Sequence, residues 1–418
     1  MKPSPEIMAP VGSYESLAVA IKAGANSVYF GIGKLNMRSA SAVNFTIKDL
    51  NKIVKICKKA KVKTYLTLNT IMYGSDLENI KKIADAAKKA GITAIIAMDM
   101  AVILYANSIN LEVHMSTQTN ISNIEAVKFY SQFADVIVLA RELSIIQIKK
   151  ICNQIKKQKI TGPKGELIKI EIFIHGALCV SISGKCYMSL AIYNKSANRG
   201  QCLQTCRRSY KVRDTETGDE LSIDNKYVMS PKDLCTLRFL PEILDTGVAV
   251  LKIEGRGRSP DYVYTVVETY KKAIEDYKKG KLTKTKIQKY ESHLSEVFNR
   301  GFWHGGYYLG KKLGEWAGIY GSASTKTKHF IGVVKHYFPK AKIAEIEMQK
   351  ESLKIGDKIL ITGPTTGVVK DKIKSLYKNE KPVKDVVKGD VDVTFPISEL
   401  VRKNDKVYVI KKRKKSQA

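Results

Sequence analysis

The sequence predicts an α/β fold: a (β/α)8-type barrel with a cysteine-rich insertion, followed by a small C-terminal β-barrel domain. Three observations predict it. Short β-branched runs alternate with helical stretches from residue 1 to about 255. The alternation breaks between about 177 and 247, where four of the seven cysteines fall. From about 327 onward only strands at hairpin spacing remain. Continuous apolar strands alternating with helices imply a parallel sheet buried on both faces, and eight such units suit closure into a barrel.

The eight runs are "EIMA" (6–9), "SVYFG" (27–31), "KTYLTLN" (63–69), "TAIIAMD" (93–99), "LEVHMS" (111–116), "DVIVLA" (135–140), "IKIEIFIHG" (168–176) and "VAVLKIEG" (248–255), with "KYVMS" (226–230) a weaker ninth. Residues just past the strand ends line the active face of such a barrel. Here they include Asn69, Asp99, His114, Ser116, Thr117, Gln118, Arg141, Glu142, His175, Lys252, Glu254 and Arg256. Each alone is an ordinary loop residue; together they would converge on one mouth.

The remaining segments follow in order. Within the insertion (177–247), "RDTETGDE" reads as a hairpin. A helical extension (259–312) opens with "SPDYVYTVVETYKKAIEDYKKGK", whose apolar and tyrosine positions share one helix face that packs as core. It closes with the glycine- and aromatic-rich "NRGFWHGGYYLGKK", a loop that either stacks a base through Trp303 and His304 or packs on the barrel. The barrel-type catalytic domain thus spans 1–325 and the small β-domain 327–412. A basic tail fills 413–418.

Composition narrows the function classes. At 44% hydrophobic and 27% charged residues the 418-residue chain is globular, and no apolar run approaches the roughly 20 residues of a membrane span. The N-terminus enters a strand directly, without the apolar core of a secretory signal, so a cytoplasmic location is expected. A net charge of +31 suits a polyanion such as RNA, although lysines on polar helix faces supply much of it as solvated surface. Only 12 of the 71 basic residues are arginine. Arg199, Arg207, Arg208 and Arg213 nevertheless cluster around the cysteines, where a planar five-donor fork serves phosphate, carboxylate or cluster sulfide.

The cysteines are spaced Cys179-x6-Cys186-x15-Cys202-x3-Cys206. Only the second pair has the tight spacing of structural zinc sites, whereas an iron–sulfur cluster tolerates irregular spacing because each iron takes one thiolate. On spacing alone, a cluster, a zinc ion or neither stays open. Cys57, Cys152 and Cys235 read as packed thiols in helical segments. A rival reading makes Cys179 a peptidase nucleophile with His175 as its base. Against it, three further cysteines and their arginines would have no task.

"EIFIHGALCVSISGKCYMS", from Glu171 to Ser189, carries the signature of the family filed as collagenase-like peptidases of unknown catalytic type, and the chain is identified as resembling that family. The resemblance extends through "EIMAPVGSYESLAVAIKAGANSVYFG", "HMSTQTN", "LARELS", "NRGQCLQTCRRSY", "MSPKDL" and "LKIEGR". Ile32 departs from it, since many relatives carry a second glycine after Gly31. Some members resemble prephenate-dependent hydroxylases acting on the wobble uridine of tRNA to give 5-hydroxyuridine, on an rRNA cytidine, or on ubiquinone precursors. The resemblance implies that Cys179, Cys186, Cys202 and Cys206 hold a [4Fe–4S] cluster, that prephenate is a co-substrate, and that the anticodon loop of tRNA is the partner; a homologous partner subunit is a further one to test for. Prephenate carries two carboxylates, for which Arg38, Arg141, Lys252 and Arg256 are the candidate cations. His114, His175 and Glu254 are the candidate acid–base groups.

Overall fold

Eight parallel strands close on themselves. The computed structural model describes residues 4–40, 42–211, 213–218, 229–304 and 316–413. Strands β1 (Glu6–Pro10), β2 (Ser27–Gly31), β3 (Lys63–Leu68), β4 (Ala94–Ala97), β5 (Glu112–Met115), β6 (Val136–Val138) and β7 (Lys169–Gly176) pair in sequence order. After β8 (Asp233–Cys235), β9 (Val250–Ile253) pairs in parallel with both β7 and β1 and completes the ring. The eight expected runs are these eight barrel strands. The weak ninth, 226–230, lies mostly outside the described residues, and the extra strand is β8 instead. It runs antiparallel to the end of β7 and parallel to β10 (Phe302–Trp303). Cys235 therefore sits in a strand rather than a helix, fully buried as a packed thiol should be.

Side-chain alternation divides the barrel into two apolar regions. Met8, Tyr29, Tyr65, Ala94, Ile96, Val136 and Val250 form a cluster of their own, drawn from alternate positions of the barrel strands. The intervening positions, among them Ile7, Phe30, Leu66 and Ile95, join the helices in the main core. The helix Pro260–Lys278 starts behind Ser259 with proline in its first turn, and buries Tyr262, Val266, Tyr270 and Ala273 at helical spacing.

The insertion crosses the C-terminal end of the barrel and is pinned there by backbone bonds. Ala40 N donates to Gly200 O (3.2 Å) and Ile71 N to Asn198 O (3.2 Å). Arg199 pairs with Asp76 (2.6 Å) and stacks 4.2 Å from the centroid of Tyr73. Asn120 Nδ2 donates to Ser183 O (3.1 Å). The predicted hairpin has its turn at 214–218, where Asp214 Oδ1 accepts from the amides of Glu216 and Thr217; its second arm lies outside the described residues.

The C-terminal domain is all antiparallel: β11 (Lys326–Phe338), β12 (Ile343–Met348), β13 (Ser352–Lys354), β14 (Lys358–Gly363), β15 (Gly367–Lys372), β16 (Tyr377–Lys378), β17 (Lys381–Pro382), β18 (Asp385–Val387), β19 (Val393–Pro396) and β20 (Lys406–Lys412). Eight of them form one sheet in the order β15-β14-β20-β11-β12-β19-β16-β17, and β13 pairs with β18. Its core is separate from the barrel's, except that Leu360 and Val368 join the barrel core. Ion pairs Lys22–Glu399, Lys328–Asp261 and Lys326–Glu296, each 2.5 Å, border this junction. A cavity of about 600 Å³ opens there, away from the barrel mouth.

At Gly200 the insertion backbone packs tightly against the loop after β2. The φ of Gly200 is +82° and a Cβ would sit 2.2 Å from the carbonyl oxygen of Asn36. Gly200→Ala should lift the insertion while leaving the barrel folded, at a cost of about 1–3 kcal/mol. Limited proteolysis should then cut within 177–211 much faster than in wild type; unchanged cleavage would remove Gly200 as the anchor.

Candidate functional site

All four insertion cysteines line one cavity of about 140 Å³ at the C-terminal mouth of the barrel, and Arg38, Arg141, Lys252, Glu254 and Arg256 line the same cavity. Seven segments therefore deliver site residues to one place: the ends of β2, β3, β5, β6, β7 and β9, and the insertion.

The cations are held rigidly. Arg38 bonds one carboxylate oxygen of Glu254 through Nε (3.0 Å) and Nη2 (2.8 Å). Arg141 donates to Ala177 O (3.0 Å), with its guanidinium 3.9 Å from the Phe173 ring centroid. Lys252, almost fully buried, pairs with Glu171 at 2.7 Å and lies over the Tyr29 ring. Arg256 donates from Nη1 to Asn36 Oδ1 (3.0 Å) and Thr67 Oγ1 (2.8 Å), while its buried Nε has no hydrogen-bond partner among the described residues. An unsatisfied buried donor is costly, so a donor left open in a cavity wall points to an acceptor arriving from outside the protein. Burial pulls Arg256 down to about 10, still fully charged near neutrality. Among these side chains, leaving the thiols aside, four cations face two carboxylates, Glu254 and Glu171.

Glu254 is a fixed anion. Burial alone would raise its pKa, but Arg38, Arg141 and Arg256 together hold it down to about 2. It therefore orients Arg38 and is a poor proton carrier near neutral pH.

Neither candidate histidine lines the cavity. His114 lies within β5, its ring 4.5 Å from Tyr65 and its nitrogens 3.4 Å from Glu112 and Glu171, close enough for ion pairing but off hydrogen-bond geometry. Burial opposes its charge, yet the two carboxylates prevail and raise its pKa. The strand end was legible in sequence, but His114 points into the barrel below the mouth. His175 is displaced for another reason. The pairing register between β7 and β9 shifts between Phe173 and His175, so the alternation that turns Glu171 and Phe173 inward does not carry on. His175 instead packs among Tyr262, Tyr270 and Phe302 with Tyr270 Oη at 3.4 Å, and burial drives its pKa down to about 3. No hydrogen bond joins it to Cys179 among the described residues. The Cys179–His175 dyad is therefore not assembled.

Around the thiols, Arg207 donates to Ser230 Oγ (3.2 Å), to Pro231 O (2.9 Å) and to Leu178 O. Burial raises the Cys206 pKa, Arg207 opposes it, and Cys179, Cys202 and Cys186 add to it, which puts all four sulfurs within electrostatic reach. Among the described residues no three of these sulfurs fall within 4.8 Å of one another. A single tetrahedral zinc with Zn–S of about 2.3 Å would need sulfurs roughly 3.8 Å apart. The group that does meet 4.8 Å is Cys235, Glu291 and His304, but both Glu291 oxygens already bond Arg238 (2.8 and 3.0 Å). Trp303 is 2% exposed and packs in the core, which removes it as a stacking platform; the rest of its loop, 305–315, lies outside the described residues.

Sequence reasoning missed Glu171, Tyr29 and Phe173. A signal existed for the first: a lone carboxylate inside an apolar strand buried on both faces must have a cationic partner.

The histidines should titrate in opposite directions. In NMR of histidine-labelled protein, His114 should lose its proton above the ordinary value of about 6.5, whereas His175 stays neutral down to about pH 3. Because the folded-state pKa of His114 is raised, its contribution to stability is complete below about pH 6.5 and lost as pH rises through the native value. A His114 resonance titrating below 6 would contradict the ion-pair geometry.

Comparison with known proteins gives the family. Peptidase family U32 matches residues 12–318. The chain is 53% identical over 408 residues, 98% of both chains, to a protein named collagenase from Porphyromonas gingivalis. It is 32% identical to tRNA hydroxylation protein P1 of Bacillus subtilis, over 86% of this chain and 84% of that one. It is 35% identical to the 23S rRNA 5-hydroxycytidine C2501 synthase of Escherichia coli, over 65% of this chain and 39% of that one. Among the described residues, no helix is long and apolar enough to cross a membrane. With about three quarters of its length covered by the family match, the chain belongs to peptidase family U32.

Proposed function

We propose that the chain is an iron–sulfur RNA hydroxylase that uses prephenate to form 5-hydroxyuridine at the wobble position of tRNA. The observation that carries this reading is the meeting of four thiols and four fixed cations in one cavity. The relatives named for tRNA and rRNA hydroxylation support the RNA substrate. Cys179, Cys186, Cys202 and Cys206 would hold a [4Fe–4S] cluster. Four irons, each taking one thiolate, spread their ligands more widely than a single tetrahedral ion does, and these sulfurs are too far apart for the latter. When bound, the cluster would supply a path for electrons.

The other groups bind and orient. Arg141 and Lys252, with the open Nε of Arg256, offer fixed cations to a dicarboxylate such as prephenate. Arg38, held by Glu254, lines the same cavity as Cys179 and Cys202 and lies within electrostatic reach of both. A base taken out of its stack would enter from the insertion side. Hydroxylation of an rRNA cytidine is the alternative within the same chemistry.

The relative named collagenase favours a second reading, proteolysis. The separation of His175 from Cys179 weighs against it, because a thiol nucleophile needs a base within hydrogen-bond reach.

Purified anaerobically, the protein should be brown with near-stoichiometric iron and sulfide. Cys202→Ala should abolish colour and modification without unfolding the barrel, whereas Cys235→Ala should leave both; iron retained in the first variant would contradict the ligand set. Nucleosides of tRNA from a deletion strain should lack 5-hydroxyuridine derivatives, and unchanged levels would rule out the tRNA substrate. Gelatin cleavage lost on Cys179→Ala would restore the peptidase.

Arg141→Lys and Arg256→Lys keep the charge and lose the fork. Each should cut modification about tenfold or more at limiting prephenate while iron content stays constant. An unchanged dependence on prephenate would place the dicarboxylate elsewhere.

A further inference from the structure

The outer face of the insertion carries an unusual combination of groups. From Gly176 to Arg213 there is no aspartate or glutamate, against seven lysines and arginines. Arg199 and Arg207 turn inward to Asp76 and to Ser230. The other five, Lys185, Lys195, Arg208, Lys211 and Arg213, are exposed. Among them stand exposed large side chains: Tyr187 is 68% exposed, Ile182 53%, Ile192 51% and Tyr193 38%. Exposed apolar residues scattered singly are ordinary, but a group of them on one short segment marks a contact surface.

These side chains are arranged as well as exposed. The Arg208 guanidinium lies 5.2 Å from the Tyr193 ring centroid and bonds its hydroxyl. Tyr320, 73% exposed, lies within electrostatic reach of the same arginine. Tyr187 precedes the helix Met188–Tyr193, roughly 9 Å from Tyr193 along its axis at 1.5 Å per residue. Planar rings open to solvent beside a guanidinium, on a segment that carries lysines and no carboxylate of its own, match unpaired nucleotides, whose bases stack and whose backbone is anionic. The same segment supplies the four cysteines of the cavity. That cavity, about 140 Å³, has no room for a folded RNA, so the nucleotides flanking an inserted base must lie on its rim.

We infer that this face is the docking platform for a single-stranded RNA loop, with Tyr187 and Tyr193 stacking bases and Arg208, Lys185 and Lys195 contacting phosphate. The inference rests on the RNA-hydroxylase reading and names the surface that reading lacks, since Trp303 is buried. It also explains why the segment excludes acidic residues altogether when the whole chain has 40 of them.

The test is fluorescence polarisation of a labelled, unmodified anticodon stem-loop RNA against the iron-loaded full chain. Tyr187→Ala and Tyr193→Ala should each weaken binding about tenfold. Tyr187→Phe and Tyr193→Phe should stay within about threefold of wild type, because the ring is kept. Arg208→Ala should weaken binding and flatten its salt dependence, whereas the tyrosine variants keep the wild-type salt slope. Iron content and Tm report folding and should not change at such exposed positions. Tight wild-type binding unaffected by either alanine substitution overturns the platform and leaves the RNA substrate standing. Alanine variants that alter self-association by sedimentation, with RNA binding unchanged, overturn it in favour of a protein contact. Absence of wild-type affinity for the stem-loop at physiological salt overturns both the platform and the functional reading beneath it.

Discussion

A charge can stay inside a barrel only if an opposite charge faces it at close range, and that constraint organises this molecule from one end of the barrel to the other. At the solvent end Lys164 pairs with Glu112, which faces His114; His114 faces Glu171, which holds Lys252. Tyr29 continues the line, with Lys252 over its ring and its hydroxyl 3.4 Å from Glu254, which grips Arg38. With His114 protonated, the charged members of this line alternate in sign. Removing one member would strand its neighbour, at about 3–5 kcal/mol for a buried pair. The column fixes Lys252 and Arg38 at the mouth without any flexible side chain having to be ordered when a ligand binds, and such preorganisation is what a binding wall requires.

The same constraint sorts the histidines. His114 has two carboxylates beside it, and they raise its pKa against the pull of burial; His175, among the described residues, has aromatic rings and a tyrosine hydroxyl around it, and burial lowers its pKa. Both lie at strand positions that look alike in sequence. Their fates diverge because one strand is regular and the other changes register two residues before its end. A histidine in a strand reads as a mouth residue only when the pleat is unbroken, and a break in the pleat leaves no mark in composition.

This separates what was legible from what was not. The eight barrel strands were legible because β-branched apolar runs between helical periods have one economical arrangement. Three of the four cations were legible because Arg141, Lys252 and Arg256 sit within three residues of a strand end, and strand ends converge; Arg38 lies seven residues past the end of β2 and is brought in by its bond to Glu254. Glu171 was readable in principle as a carboxylate in a dry strand. For Trp303 the sequence offered both stacking and packing on the barrel, and packing is what occurs; the choice depends on β10 pairing with β8, a contact between segments more than sixty residues apart. Tyr29 was not legible, because its role arises only when Lys252 from β9 lies across its ring.

Placing the thiols on an insertion rather than on the barrel strands has a physical consequence. A strand presents alternate side chains at fixed spacing and direction, which suits the cation wall, where each group must hold one position against a planar carboxylate. Four sulfurs approaching a common centre from different directions need a chain that reverses. Gly184 and Gly200 permit such turns with positive φ, and Asn194 and Gln204 adopt it as well. The barrel then supplies rigidity at anchor points, through Gly200, Asn198 and Arg199, rather than along the whole segment. The outer surface of the insertion is thereby free of any structural duty toward the barrel. Its side chains can be chosen for what lies in solution, and exposed tyrosines next to arginine are affordable there because nothing beneath depends on them.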